Sequence, residues 1–234
     1  MTESVDYAVV GLGALGSATA YELADRGFDV LGLEQFELGH KRGASHDTSR
    51  ILRRSYHTPS YVRLAGEAYD DWGALSDAAG ERLVTTTGGI DLFPPDPAIP
   101  TVDYTSSLDA CGIPYELLDS AEVAARWPRV RLPEGGVALY QADTGMVNAA
   151  QTVAALQRLA VARGAELRHH TPARVVAAGP DGVELETSTG VVRCRRLVVA
   201  ADAWTNDVLA GIEVSLPLTV TQEQVTYFAP DDPA

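Results

Sequence analysis

Three glycines stand as G-L-G-A-L-G at Gly11, Gly13 and Gly16, between a short apolar run, Tyr7 to Val10, and a helix-periodic stretch, Leu15 to Arg26, that stops at Gly27. Leu15, Ala18 and Leu23 mark the expected apolar side of that helix. A second apolar run, Val30 to Leu33, follows at once. Strand, glycine turn, helix and strand within one short stretch form a βαβ unit, which forces parallel strands and a right-handed crossover. The chain is therefore expected to open as an α/β fold. Glu34 ends the second strand, 18 residues past Gly16. In this arrangement Gly11 permits the tight turn, Gly13 lets a pyrophosphate approach the backbone, and Gly16 lets helix and strand pack closely. The helix N-terminus adds amide donors and a positive dipole, and Glu34 is placed to accept hydrogen bonds from ribose hydroxyls. Its negative charge disfavours a 2'-phosphate. The pattern thus predicts a dinucleotide site and leaves FAD and NAD open.

From Glu34 to His57 no period is sustained, and Gly39, Gly43 and mixed His, Ser, Thr and Arg predict an irregular segment over the carboxyl edge of the sheet, where ligands bind. Thr58-Pro59 reads as an N-cap and first helical residue, with Tyr61, Ala65, Ala68, Trp72 and Leu75 repeating at helical spacing. A strand is expected over Gly89 to Phe93, ended by Pro94-Pro95, and Asp119 with Glu122 predicts a capping box for a short helix stopping before Pro128. Asn148 caps a helix running to Arg163, and Glu166 to His170 follows as a strand. Arg174 to Ala177, Val183 to Thr187 and Val191 to Cys194, separated by turns, predict an antiparallel meander. Leu197 to Ala201 reads as a separate buried strand, and Leu216 to Phe228 as another.

Composition narrows the class of partner. With 46% hydrophobic and 21% charged residues, the 234-residue chain is globular, and disorder, collagen and a disulfide scaffold are excluded. A formal charge of -14 repels phosphate backbones and anionic membranes, so neither nucleic acid nor a membrane is an expected partner. No apolar run reaches the roughly 18 residues that span a bilayer, and Glu3 and Asp6 stand where a signal peptide carries basic residues. Cys111 and Cys194 have neither metal-ligand nor CxxC spacing, which predicts packing roles, no metal site and a cytoplasmic protein.

Within this acidic chain, Lys41, Arg42, Arg50, Arg53 and Arg54 crowd into 14 residues that hold one acid, Asp47. Such a cluster beside a dinucleotide site either binds the anionic part of a substrate or cofactor, or is a solvated arginine-rich turn. Here the sequence resembles a known family. V-V-G-L-G-A-L-G-S-A-T-A-Y-E-L-A with Glu34, then S-H-D-T-S-R-I-L-R around His46 to Arg53, is similar to the FAD-dependent amine oxidases of the monomeric sarcosine oxidase and N-methyltryptophan oxidase group, in the D-amino-acid oxidase-like superfamily. Thr87 to Gly89, Arg126-Trp127-Pro128, Ala162 to Ala165 and Val198 to Trp204 extend the resemblance over nearly the whole chain.

The resemblance implies a Rossmann-like FAD-binding domain with a β-meander crossover, plus the incomplete start of an α+β substrate domain. It divides the chain at 1–80 (βαβ unit and arginine-rich active-site segment), 81–145 (partial substrate domain), 146–212 (rest of the FAD-binding domain) and 213–234 (start of a further sheet). It implies oxidation of the C–N bond of a small secondary or N-methylated amino acid: hydride passes to FAD, water hydrolyses the imine, and oxygen yields hydrogen peroxide. By position, Arg53 matches the substrate-carboxylate anchor, His46 and Arg50 match residues set against the flavin ring, and Ser49 matches a hydroxyl residue contacting the cofactor. Asp202 stands where the family usually has Gly. The family's chains continue past the strand at Leu216, and their continuation supplies a lysine that promotes the reaction with oxygen, a second carboxylate anchor and the cysteine that links flavin in some members. The 234 residues alone are accordingly expected to have little oxidase activity. The alternatives are a truncated, non-catalytic FAD-binding remnant and an NAD-dependent dehydrogenase.

Overall fold

A computed structural model describes residues 2–221, 226 and 229. In chain order the elements are β1 (Thr2–Val10), α1 (Ala14–Asp25), β2 (Val30–Leu33), β3 (Arg50–Leu52), α2 (Pro59–Ala79), β4 (Val84–Thr86), β5 (Gly89–Phe93), α3 (Thr101–Asp109), β6 (Glu116–Leu118), α4 (Ser120–Arg126), β7 (Val137–Gln141), β8 (Gly145–Val147), α5 (Ala149–Ala162), β9 (Glu166–Arg168), β10 (Ala173–Gly179), β11 (Gly182–Thr187), β12 (Gly190–Val199) and α6 (Thr205–Leu209), with short 3-10 turns on either side of α6.

The largest sheet has the order β10-β11-β12-β1-β2-β9. Its strands β12, β1, β2 and β9 are parallel, and β10, β11 and β12 form the antiparallel meander. The expected α/β class and meander are both present. Two smaller antiparallel sheets, β3-β8-β4 and β5-β7-β6, are built from the middle of the chain. On one face of the large sheet Val9 and Val30 pack against Ala20 and Ala24 of α1 and Ala160 of α5. On the other, Ala8, Val10, Leu31 and Leu33 join Val175 and Leu185 of the meander and Val208 of α6.

Several expectations need correction. The buried side of α1 is Gly16, Ser17, Ala20 and Ala24, whereas Leu15 is 79% exposed. The cause is steric: α1 lies so close to the loop that a Cβ on Gly16 would sit 1.7 Å from Gly11 O, and only small residues fit that interface. Val191 to Cys194 and Leu197 to Ala201 are not two strands but one, β12, whose first half pairs with β11 and whose whole length runs along β1. The segment expected to be irregular contains β3, which pairs with β8 nearly a hundred residues later. β9 ends at Arg168, two residues short of the expected strand end at His170, which takes a positive φ of 52°. Ala65, Ala68, Trp72 and Leu75 are partly buried as expected, but Tyr61 is exposed, and Val62 and Tyr69 join the buried side of α2 in its place. The expected strand Leu216 to Phe228 lies partly outside the described residues, and its described residues, 216–221 and 226, are not in a strand.

Other local signals act as read. Asp119 caps α4 through Ala121 N and Glu122 N, while Glu122 returns to Asp119 N, completing the capping box. Asn148 Oδ1 accepts from Gln151 N at the start of α5. Cys194 is buried in the large-sheet core and Cys111 packs against a second core, and both are free thiols.

Candidate functional site

A cleft of about 370 Å3 opens at the carboxyl ends of β1, β2 and β12. The glycine loop forms its floor, and each glycine has a different physical reason. Gly11 has φ +94°, and a Cβ there would lie 2.4 Å from Ala200 O, so the residue serves both the turn and the approach of β12. Gly16 serves helix packing, as described above. A Cβ on Gly13 would meet only the Ser45 side chain, 2.9 Å away at Oγ, because the loop there faces the cleft. The missing side chain at Gly13 therefore leaves room for a ligand to lie against backbone.

Polar contacts hold this loop from several sides. Leu12 N donates to Glu34 Oε2 (2.9 Å), and Leu12 O accepts from Ser17 Oγ (2.8 Å) and from Gln157 Nε2 of α5 (2.9 Å). Ala14 N, at the first turn of α1, donates to Ser45 Oγ (2.9 Å). Glu34 is 6% exposed, and its second oxygen accepts from Phe36 N (3.0 Å), with His40 Nε2 at 3.5 Å. Burial of such a polar group is compensated by these two peptide hydrogen bonds. Beside it the Phe36 ring meets Trp204 edge-on (5.4 Å) and His40 (4.9 Å), making an aromatic wall to the cleft. Asp202, on the opposite rim, is exposed and sits at φ +48°.

The basic segment divides into two parts. His46 lines the cleft, with Nδ1 2.6 Å from Gly43 O. A carbonyl only accepts, so Nδ1 carries the proton and Nε2 presents a lone pair in the neutral ring. Arg50 does not line the cleft. Its guanidinium instead binds Ser49 O and Ala44 O, both at 2.8 Å, with Asp47 at 3.8 Å, and so cross-braces the loop that carries His46. Ser49 is likewise outside the cleft lining. Arg53 lies beyond β3 and donates from Nη1 to Asp91 Oδ1 of β5 (2.5 Å). Arg54 pairs with Asp143 (2.9 Å) and covers the Tyr69 ring at 4.1 Å. The one Tyr69 hydroxyl proton is shared between Asp143 O (3.1 Å) and Leu52 O (3.3 Å), and burial, then the Asp143 charge, push its phenol up to about 12.

Thus Gly11, Gly13, Glu34 and His46 meet at one cleft with Gly16 just beneath, while Ser49, Arg50 and Arg53 lie elsewhere. Ser45, Gln157 and Phe36 belong to the same site and carried no sequence signal strong enough to assign them. Ser45 is the first letter of the S-H-D-T-S-R string, Gln157 is one of several polar residues on an amphipathic helix, and Phe36 is a lone aromatic in a loop.

The cradle fits a dinucleotide: Gly13 leaves backbone uncovered at the cleft, just before the first turn of α1, and Glu34 supplies an acidic end. Comparison with known proteins agrees. The family model described as "FAD dependent oxidoreductase" matches residues 6–234. Monomeric sarcosine oxidase from Streptomyces avermitilis is 34% identical over 98% of this chain and 59% of its own length. Peroxisomal sarcosine oxidase from Homo sapiens is 33% identical over 95% of this chain and 57% of its own. The open form of NikD, an amino acid oxidase essential for nikkomycin biosynthesis, superposes with a TM-score of 0.80 at 31% identity, covering 89% of this chain and 54% of that one. The chain therefore spans somewhat over half the length of the relatives it matches.

Proposed function

The chain belongs to the FAD dependent oxidoreductase family, and from that premise we propose that the protein it represents oxidises the carbon–nitrogen bond of a small N-methylated or secondary amino acid. Family membership also decides between the two dinucleotides that the glycine pattern left open, in favour of FAD. The observation that carries the reading is the meeting of the Gly13 cradle, the buried Glu34 carboxylate and the His46 ring at one cleft.

In this reading the backbone left open at Gly13 and the positive end of the α1 dipole receive the pyrophosphate, Glu34 takes the ribose hydroxyls, and the Phe36–Trp204 wall excludes water beside them. The bound FAD supplies a two-electron acceptor for the hydride of the carbon next to nitrogen. His46 Nε2 offers a proton-accepting lone pair at the cleft, and Arg50 fixes its position by bracing the loop backbone. Arg53, with its planar fork, anchors the substrate carboxylate. The amine would lose that hydride together with its N–H proton to become the imine, which water would hydrolyse, and oxygen would take up the two electrons with two protons as hydrogen peroxide. The division at 1–80, 81–145, 146–212 and 213–234 belongs to the same proposal. It is supported by the large sheet, which draws β1 and β2 from the first segment and β9 to β12 from the third, while β5, β6 and β7 all fall in the second.

The test is the visible spectrum of the purified full-length protein that contains these residues, followed by anaerobic addition of sarcosine. Flavin bands that bleach on addition, and peroxide once air is admitted, are expected. A colourless protein that fails to take up added FAD overturns the cofactor site, and flavin bands unchanged by any N-methylated or secondary amino acid overturn the substrate class.

A further inference from the structure

Asp91 is an acid in the middle of an otherwise apolar strand, G-I-D-L-F, a placement that strands disfavour. Both of its oxygens are engaged. Oδ1 accepts from Arg53 Nη1 at 2.5 Å and Oδ2 accepts from Ser55 Oγ, a hydroxyl that is itself buried. Arg53 also lies over the Tyr56 ring at 5.3 Å, which fixes the guanidinium plane. The pair is not sealed: Arg53 is 34% exposed and Asp91 26%, so a small solute reaches it. The register of β5 on β7 places Asp91 opposite Leu139 and Gly89 opposite Gln141, so Asp91 and Gln141 share a sheet face as diagonal neighbours. Gln141 is 1% exposed, and neither its Oε1 nor its Nε2 has a hydrogen-bond partner among the described residues.

The Asp91 carboxylate presents to Arg53 the same group that an amino-acid substrate would present. We propose that Asp91 is a specificity-determining residue: it fills the Arg53 fork when no substrate is bound, so that binding a carboxylate is an exchange of one anion for another. The inference rests on the reading of Arg53 as the substrate anchor. An arriving carboxylate meets a neutral pair instead of a free cation, and must displace Asp91 onto Ser55 or share the guanidinium with it. Weak carboxylates are thereby rejected. Ser55 sets the ease of exchange, because its hydroxyl keeps one Asp91 oxygen bonded after Arg53 lets go.

The test is equilibrium binding of acetate to the FAD-loaded protein by titration calorimetry, independent of turnover. Asp91→Asn removes the competing charge and keeps an oxygen for Ser55, and should tighten acetate about tenfold, the range expected when one partly exposed charge partner is lost. Asp91→Glu keeps the charge and should stay near wild type. Ser55→Ala should act with opposite sign, weakening acetate about threefold by leaving Asp91 dependent on Arg53. Arg53→Gln should abolish binding. If Arg53→Gln binds acetate as wild type does, the anchor reading fails, and this inference with it. If Arg53→Gln loses binding while Asp91→Asn leaves affinity unchanged or weaker, the anchor stands and the exchange is refuted. Should Asp91→Asn not fold by circular dichroism, an unchanged affinity in Ser55→Ala refutes it instead.

Discussion

The two carboxylates at the heart of this molecule, Glu34 and Asp91, are held in opposite ways. Glu34 is almost fully buried and accepts backbone N–H groups from residues near it in the βαβ unit. Asp91 is partly exposed and is held by side chains, Arg53 and Ser55, that come from a different strand connection. Peptide donors have fixed positions once the backbone folds, so the first arrangement is rigid. Long side chains with rotatable bonds make the second one exchangeable. The difference suits the proposed roles, a permanent cofactor at Glu34 and a transient substrate at Arg53.

The contrast breaks most visibly at Gly16. A methyl there meets Gly11 O at less than any real contact distance, so Gly16→Ala should destabilise the protein by about 3 kcal/mol or more, lowering the melting temperature by roughly 10 °C. A melting curve like that of wild type would mean that α1 is not pressed against the loop. Gly13→Val provides the complement. Only the Ser45 side chain stands in its way, so the fold should survive while flavin is lost, and stoichiometric flavin in the purified variant would refute the assignment of the loop.

Glu34→Gln tests the rigid carboxylate without changing its shape. An amide can accept only through one oxygen, so its NH2 must face either Leu12 N or Phe36 N, and a loss of about 2 kcal/mol in denaturant unfolding is expected. An unchanged unfolding midpoint would show that the two peptide bonds do not set the loop.

On the arginine side the measurable signature is alkaline. The Tyr69 phenol is raised in the folded state, so its contribution to stability is complete below the ordinary tyrosine value and is lost as pH rises from 10 to about 12. Tyr69→Phe should therefore lie below wild type in stability at neutral pH, with the gap narrowing across that window. A gap constant to pH 12 would mean that the phenol ionises normally.

The smallest effect belongs to Asp202. At φ +48° a side chain is mildly strained, so Asp202→Gly should be neutral to stabilising by up to about 1 kcal/mol, and should tighten FAD by removing a negative charge from the cleft rim. Weaker flavin binding in that variant would assign the carboxylate a favourable contact.

How much of this was legible beforehand follows from how far apart the interacting residues lie. The βαβ unit, the Asp119 capping box, the Asn148 cap and the meander all depend on neighbours within a few turns of chain, and spacing revealed them. The choice of small residues on the buried face of α1 was not readable, because it depends on how closely the helix approaches Gly11 O. The fusion of two apolar runs into β12 was missed for a related reason: Arg195 and Arg196 look like a break in sequence, yet they fall on opposite faces of the strand and both are exposed there, so neither has to be buried for β12 to run through.

By itself, then, the sequence determined the α/β opening, the dinucleotide cradle and the acidic residue at its end, since these are set by glycine spacing and short-range periodicity. Only the tertiary structure decided which cations face the cleft and which are already paired. Arg53 finds Asp91 38 residues away, Arg54 finds Asp143, and Gln157 reaches Leu12 O across 145 residues. Such partners are chosen by strand register and by the need to satisfy every buried polar group, conditions that exist only after the distant strands have paired.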